Sequence, residues 1–329
     1  MSFFAILFAL LLEQARPLAA HNRIHAGLRA WALWVGRNFD AGKHHHAWVA
    51  WSMAVALPAL LALAVHWLLL WGLGWPFAML WSVAILYLTL GFRQFSHHFT
   101  RLRDALEEDD QERARRLLAE WQQVDASDLP RSEMVRHVIE YSVLAAHRHV
   151  FGVLAWFSLL AALGLGPAGA VLYRMAEFVA RTATPRRGAL AAPTSLALQV
   201  LALRCWMVVD WLPARLTALC FAVVGSFEEA IDGWRFHAQR FPNDNDGVVL
   251  AATAGAINVR LGGEALKLQV EALPAPPGIA VEANIGDSDR TPGREPEVGH
   301  LRSVVGLVWR SVVVWLLLLA LLTLARLLG

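Results

Sequence analysis

Two polar constellations stand out from an otherwise apolar chain. The first is Asp210-Trp211-Leu212-Pro213-Ala214-Arg215, set into the long apolar run Ala192 to Ser226, which also carries Arg204. An ionised side chain at membrane depth costs about 3 kcal/mol or more unless it pairs, faces a bundle interior or lines a wet cavity. This stretch therefore predicts either a ligand pocket or a structural ion pair between Asp210 and Arg215. The second is Asn243-Asp244-Asn245-Asp246-Gly247. Asp244 and Asp246 offer hard oxygen ligands of the kind Mg²⁺ takes, and Gly247 allows a close backbone approach. The spacing is not that of a calcium loop, and a plain polar turn selects the same residues. Histidine is abundant, with 13 residues, seven of them grouped at His44-His45-His46, at His97-His98, and at His147 and His149. Neighbouring helical positions point to different faces, no cysteine joins these groups, and no His-Glu-x-x-His spacing occurs, so they predict interfacial or solvated imidazoles rather than a metal centre.

The elements that must position these residues are set by composition. Of 329 residues, 57% are hydrophobic and 17% charged, with 15 Trp and a net charge of +2. That balance excludes a globally disordered chain and a nucleic-acid binder, and two cysteines exclude a disulfide scaffold. The expected fold is all-α: a polytopic integral membrane helical bundle with broken or re-entrant helices and an amphipathic helical cytoplasmic portion.

Segment by segment, residues 1–47 form an N-terminal membrane-associated stretch, because the apolar Phe3 to Leu12 is short for a span. Residues 48–92 read as a transmembrane hairpin turning at Gly72-Leu73-Gly74-Trp75-Pro76, with Trp near the run ends. Residues 93–149 carry charge with apolar positions at helical spacing, which predicts cytoplasmic amphipathic helices. Residues 150–226 form the membrane core. There, Val150 to Tyr173 is expected to dip in and return, and Ala192 to Ser226 to break at Asp210-Trp211-Leu212-Pro213. Residues 227–273 are a second cytoplasmic segment, 274–300 a Pro/Gly-rich acidic linker, and 301–329 a C-terminal anchor. Arg and Lys concentrate in the loops, which places the soluble parts mainly on the cytoplasmic side of a bacterial inner membrane.

Asp210-Trp211-Leu212-Pro213-Ala214-Arg215-Leu216-Thr217 resembles a signature shared by the CobD/CbiB cobalamin-biosynthesis proteins and the AmpE membrane regulators. The likeness extends over most of the chain. Asn245-Asp246-Gly247 through Ala254-Gly255 to Val259-Arg260-Leu261-Gly262-Gly263 is similar to the family element N-x-G-W-P-E-A-A-M-A-G ending in V-R-L-G-G, and the region from Val124 through Glu140 to Trp156 follows the family order. Where those enzymes carry a polar A-E-N-x-S-D-G stretch, this chain reads Val143-Leu144-Ala145-Ala146-His147-Arg148-His149. A second polar run appears as Tyr173-Arg174-Met175-Ala176-Glu177, and the Pro-Glu after N-x-G-W as Val249-Leu250. Arg148, and Asp rather than Asn at 210, resemble AmpE.

The resemblance implies ligand-binding candidates at Asp210, Trp211, Pro213, Arg215, Asn245, Gly247, Arg260, Gly262, Gly263, Glu140 and Arg148, with Asp244 and Asp246 as the metal candidates. Family enzymes join an aminopropanol group to a corrinoid carboxylate with ATP and Mg²⁺. Such chemistry needs several acidic or amide groups, and three polar clusters have been lost here. The expectation is thus an inner-membrane regulatory or accessory protein of the CobD/CbiB-AmpE family without ligase activity and without cofactors. The alternative is the adenosylcobinamide-phosphate synthase, an amide ligase using Mg²⁺ and ATP. Expected partners are the lipid bilayer, a small-molecule or corrinoid-like ligand and a membrane protein, with no nucleic acid.

Overall fold

The computed structural model describes residues 2–16, 23–122, 125–183, 194–264 and 288–328. Among them the fold is all-α: the helices are α1 (Ser2–Ala15), α2 (Arg23–Phe39), α3 (His44–Gly72), α4 (Trp75–Thr89), α5 (Phe92–Glu107), α6 (Gln111–Gln122), α7 (Arg131–Ala146), α8 (Gly152–Ala162), α9 (Ala168–Ala183), α10 (Leu196–Val224), α11 (Phe227–His237), α12 (Asp244–Ile257) and α13 (Val298–Leu328). Four helical stretches are long and apolar enough to cross a membrane: His44–Gly72, Arg131–Ala162, Leu196–Val224 and Val298–Ala325.

The hairpin expected at 72–76 forms between α3 and α4, where Gly74 takes φ +92° and Pro76 sits in the first turn of α4. Trp81 donates its indole N–H to the Ala62 carbonyl, which joins the two arms, and Trp67 donates to the Gly164 carbonyl, which ties the hairpin to the turn after α8. In α5 and α6 the apolar stripe predicted from spacing is buried at Phe99, Leu102, Ala105, Leu106, Ala114 and Leu118.

Two expectations about local structure need correction. The chain does not break at Asp210 to Pro213, because α10 runs unbroken over 29 residues with Pro213 inside it. Proline supplies no N–H, so the Val209 carbonyl one turn earlier loses its helical donor. The indole of Trp156 donates to that carbonyl at 2.9 Å and re-satisfies it. Nor is Asn243 to Gly247 a free-standing turn: the turn ends at Asn243, and Asp244 opens α12. Gly247 is required there by packing, since a Cβ would overlap the Ala238 carbonyl.

Of the expected linker 274–300, residues 274–287 lie outside the described residues. From 288 onward it runs beside Val259 to Gly263, with Thr291 N–H donating to the Leu261 carbonyl at 2.7 Å and Arg260 N–H to the Arg294 carbonyl at 2.8 Å. The last of these residues, from Val298, already belong to α13.

Candidate functional site

One continuous helical rod, α7 through α8, carries residues of several polar clusters in the core. Between α7 and α8 the backbone takes one π-helical turn, His147–Phe151, in which the Gly152 N–H reaches back to the His147 carbonyl. Such a turn inserts an extra residue and re-aims the side chains on it. Below it lie Arg136 and Glu140; on it lie His147 and Arg148; above it lies Trp156.

His147 is fully buried and bridges two points of α10. Its Nε2 lies 3.0 Å from Asp210 Oδ1, and its Nδ1 lies 2.9 Å from Thr217 Oγ1. The Thr217 hydroxyl also lies within hydrogen-bond reach of the Pro213 carbonyl, 2.9 Å away. Tyr173, on α9, donates its hydroxyl to Asp210 Oδ1 at 2.7 Å. Tyr173 reaches that point because Gly152 has no Cβ, which would otherwise overlap the tyrosine ring. Asp210 therefore does not pair with Arg215, contrary to expectation. On a helix, residues five apart lie on different faces, and Asp210 turns inward while Arg215 turns outward.

Arg215 meets α12 instead. Its Nη1 donates to Asn245 Oδ1 at 2.8 Å and to the Trp211 carbonyl at 3.0 Å, and its guanidinium lies 4.4 Å over the Trp211 ring. The Asn245 amide is fixed by donating to the Met207 carbonyl at 2.9 Å. Next to Asn245, Asp246 accepts from Arg148 Nη2 at 2.7 and 2.9 Å and from Asn243 at 3.3 Å. Asp244 projects outward and is exposed. The two metal candidates thus diverge, and Asp246 is already engaged by a cation. Among the described residues no group of three His, Cys, Asp or Glu side chains converges to hold a metal ion.

Glu140 anchors the third cluster. It is fully buried, lies within 3.2 Å of Arg136 Nη1 through both oxygens, and accepts the Gly262 N–H at 2.7 Å. Gly262 and Gly263 have φ of +85° and +123°, which only glycine adopts without strain. This conformation turns their N–H groups toward Glu140 and Ser288. Arg260 is exposed and follows the backbone of Gly293. Arg136 also meets Glu133, His137 Nε2 and the Glu264 carbonyl.

A further acid lies on α9. Glu177 is buried between Arg174 and Arg181. Burial alone would raise its carboxyl, but those two guanidiniums, with His149 and Arg148, outweigh burial and hold it at about 2.

Of the residues singled out from the sequence, the structure brings Asp210, Arg148, Arg215, Trp211 and Asn245 into neighbouring networks and places Glu140 with Gly262 and Gly263 at another level of the same rod. His147, Tyr173, Thr217 and Arg136 were not among the site candidates. Thr217 ends the Asp210 motif, and Arg136 lies four residues before Glu140, a spacing that signals an ion pair. Tyr173 heads the second family-like polar run, and its contact with Asp210 is visible only in the fold.

Residues 3–276 match the family described as CobD/Cbib protein. A protein of Stutzerimonas stutzeri named cobalamin biosynthesis protein CobD is 32% identical over 96% of this chain and 96% of its own length. A protein of the same name from Chromobacterium violaceum is 34% identical over 56% of this chain and 55% of its own, and one from Mycobacterium tuberculosis is 30% identical over 71% and 68%. No solved structure matches.

Proposed function

This chain belongs to the CobD/CbiB family, and we propose that it serves as an inner-membrane regulatory or accessory protein of AmpE-like type rather than as the family's ligase. The observation that carries this reading is where the buried carboxylates spend their charge. Asp246 is held by Arg148, Glu140 by Arg136, Glu177 by Arg174 and Arg181, and Asp210 by His147 and Tyr173. Activating a corrinoid carboxylate with ATP and Mg²⁺ calls for acidic groups free to take metal-bound phosphate. Asp246, Glu140 and Glu177 are committed to guanidiniums, while Asp210 is engaged through Oδ1 and keeps a buried Oδ2 without a hydrogen-bond partner, so three of the four acids do not suit Mg²⁺ and ATP.

The substitutions relative to the enzyme pattern support the same reading. His147 and Arg148 stand where the enzymes carry their polar Glu/Asn/Asp stretch, and each faces a carboxylate of a motif this chain retains. The retained core suits a small-molecule or corrinoid-like ligand, or a membrane protein partner, bound without turnover, with the soluble segments on the cytoplasmic side.

The second reading is the adenosylcobinamide-phosphate synthase. Its support is the name carried by relatives such as the full-length match from Stutzerimonas stutzeri. Complementation separates the two. A strain lacking its own synthase and supplied with this gene is expected not to grow on the corrinoid precursor, and growth dependent on the gene would establish the second reading.

A further inference from the structure

Charge is spread unevenly over the first third of the chain. Between Glu13 and Asp104 the only acidic residue is Asp40. Its carboxylate is committed, accepting the Ser195 N–H and hydroxyl at 2.6 Å each and the Gly42 N–H at 3.3 Å. Around it Arg29, Arg37, Lys43, His44 and His45 are exposed. Arg29, Arg37 and Lys43 form no ion pair among the described residues. Helix α9, whose Val179 lines a small cavity with Ala32 and Val35 of α2, carries Glu177, but that acid is buried and taken by Arg174 and Arg181.

The neighbours of α2 fix where it lies. Since α3 and α4 form a hairpin, His44 and Thr89 stand at the same end of the bundle. Near that end of α4 the Tyr87 hydroxyl donates to the Arg16 carbonyl, just after α1. The chain thus leaves α1 and enters α3 at one end, with α2 between them. The last turns of α2 sit on the start of α10, with Gly36 against Thr194 and Asp40 on Ser195. A helix of 17 residues is about 25 Å long. With Arg29 and Arg37 along its exposed side, α2 lies across that end rather than through the apolar layer.

Ala32, Val35 and Gly36 turn toward the protein and are buried, whereas Ala30, Trp34 and Arg37 are exposed on the other side. Trp34 is 45% exposed, stacks on Trp31 at 5.4 Å and meets Phe39 edge-on at 5.7 Å. One turn into α3, Trp48 is 46% exposed beside Trp51. Tryptophans seat at headgroup level, and a helix that joins such an aromatic flank to exposed arginines has the make-up of one lying in a membrane interface.

We propose that α2 and the first turn of α3 form a docking surface for anionic phospholipid, with Trp34 and Trp48 at the headgroup level and Arg29, Arg37 and Lys43 on the lipid phosphates. Charge complementarity selects this occupant, because the surface offers three cations and its one acid is spent on Ser195. The surface goes beyond the accessory role proposed above and stands whether or not ligase activity survives.

The test takes the full chain with Cys205 and Cys220 replaced by serine and a nitroxide attached at Ala30→Cys, reconstituted in bilayers of phosphatidylcholine and phosphatidylglycerol. Collision with oxygen and with a water-soluble nickel chelate is expected to place the label at headgroup depth. Native mass spectrometry of the unlabelled chain in detergent is expected to show phosphatidylglycerol retained over phosphatidylcholine of the same chains. Arg37→Gln should weaken that retention at least about fivefold, the worth of one basic side chain at an anionic surface, and Arg29→Gln, Arg37→Gln and Lys43→Gln together should weaken it further. Arg116→Gln, which removes an equal charge from the exposed side of α6, should leave it unchanged. A label that meets only water, as it would if the surface served a soluble partner, or one sunk in hydrocarbon would overturn the proposal, whether or not the glutamine variants fold. Equal retention of the two lipids, or equal loss in Arg116→Gln and Arg37→Gln, would overturn it too. So would inorganic phosphate displacing the lipid at millimolar concentration, since the surface would then belong to a soluble anion.

Discussion

Asp210 couples to His147 and not to Arg215, and a pair of double-mutant cycles reads that difference directly. In Asp210→Ala the imidazole of His147 and the hydroxyl of Tyr173, both fully buried, lose their shared acceptor. An orphaned buried donor costs about 1 to 3 kcal/mol, so the substitution should destabilise the protein by about 2 to 6 kcal/mol. His147→Ala removes one of the same contacts together with the Thr217 bond. The Asp210/His147 cycle should therefore show a coupling of about 1.5 to 3 kcal/mol, the range for a charge-assisted hydrogen bond in a dry site. The Asp210/Arg215 cycle should stay below about 1 kcal/mol, because the two share neither a contact nor a partner. Reversible unfolding in mixed micelles titrated with sodium dodecyl sulfate, followed by circular dichroism, supplies all the corners. A larger coupling for Asp210/Arg215 than for Asp210/His147 would refute the network described here.

Further outcomes follow from the same contacts. Glu177 is held at about 2 against 4.5 for a free carboxyl, so the stability it contributes is fully present above pH 4.5 and is lost as pH falls toward 2. The contribution is about 3 kcal/mol, and the difference in stability between the parent and Glu177→Gln, followed by thermal unfolding against pH, should shrink to nothing across that window. Gly152→Ala forces a methyl group into the Tyr173 ring and should lower stability by about 1 to 3 kcal/mol in the same unfolding assay. Arg148→Ala leaves Asp246 buried and uncompensated and should cost about 3 to 5 kcal/mol, read as lost abundance of folded protein, while a paired Arg148→Met and Asp246→Leu change should recover part of it. A cysteine placed at Asp128, with Cys205 and Cys220 replaced by serine, should resist labelling from outside intact cells, because the arginine-containing segment 93–149 around it is expected in the cytoplasm.

Periodicity and composition carried the helices well. The α3 and α4 hairpin, the amphipathic α5 and α6 and the long C-terminal helix were all legible, because each depends on a local apolar pattern and on turn residues such as Gly74 and Pro76. The reading failed where a tertiary contact overrode a local rule. Pro213 looked like a helix break, yet α10 continues through it as α3 continues through Pro58, and at Pro213 the indole of Trp156, 53 residues away, takes up the freed Val209 carbonyl. Asp210 and Arg215 looked like a pair because they are close in sequence, yet helical geometry aims them apart. The residue that completes the Asp210 site, His147, sits on a π turn that shifts its direction, and no sequence pattern announces such a turn. Gly262 and Gly263 were recognised by family resemblance, but their task of turning backbone N–H groups onto Glu140 is visible only in the fold.

The central claim is that the family fold is kept while its carboxylates are neutralised from within, and the most direct test is to ask the purified chain for the reaction. The full-length protein, reconstituted in lipid with ATP, Mg²⁺, a corrinoid carboxylic acid and an aminopropanol substrate, is assayed by mass spectrometry for the amide. The account predicts no amide above a protein-free control, under conditions where a competent synthase forms it. Amide that accumulates with time, and that disappears in Asp210→Ala protein shown to be folded, would contradict it.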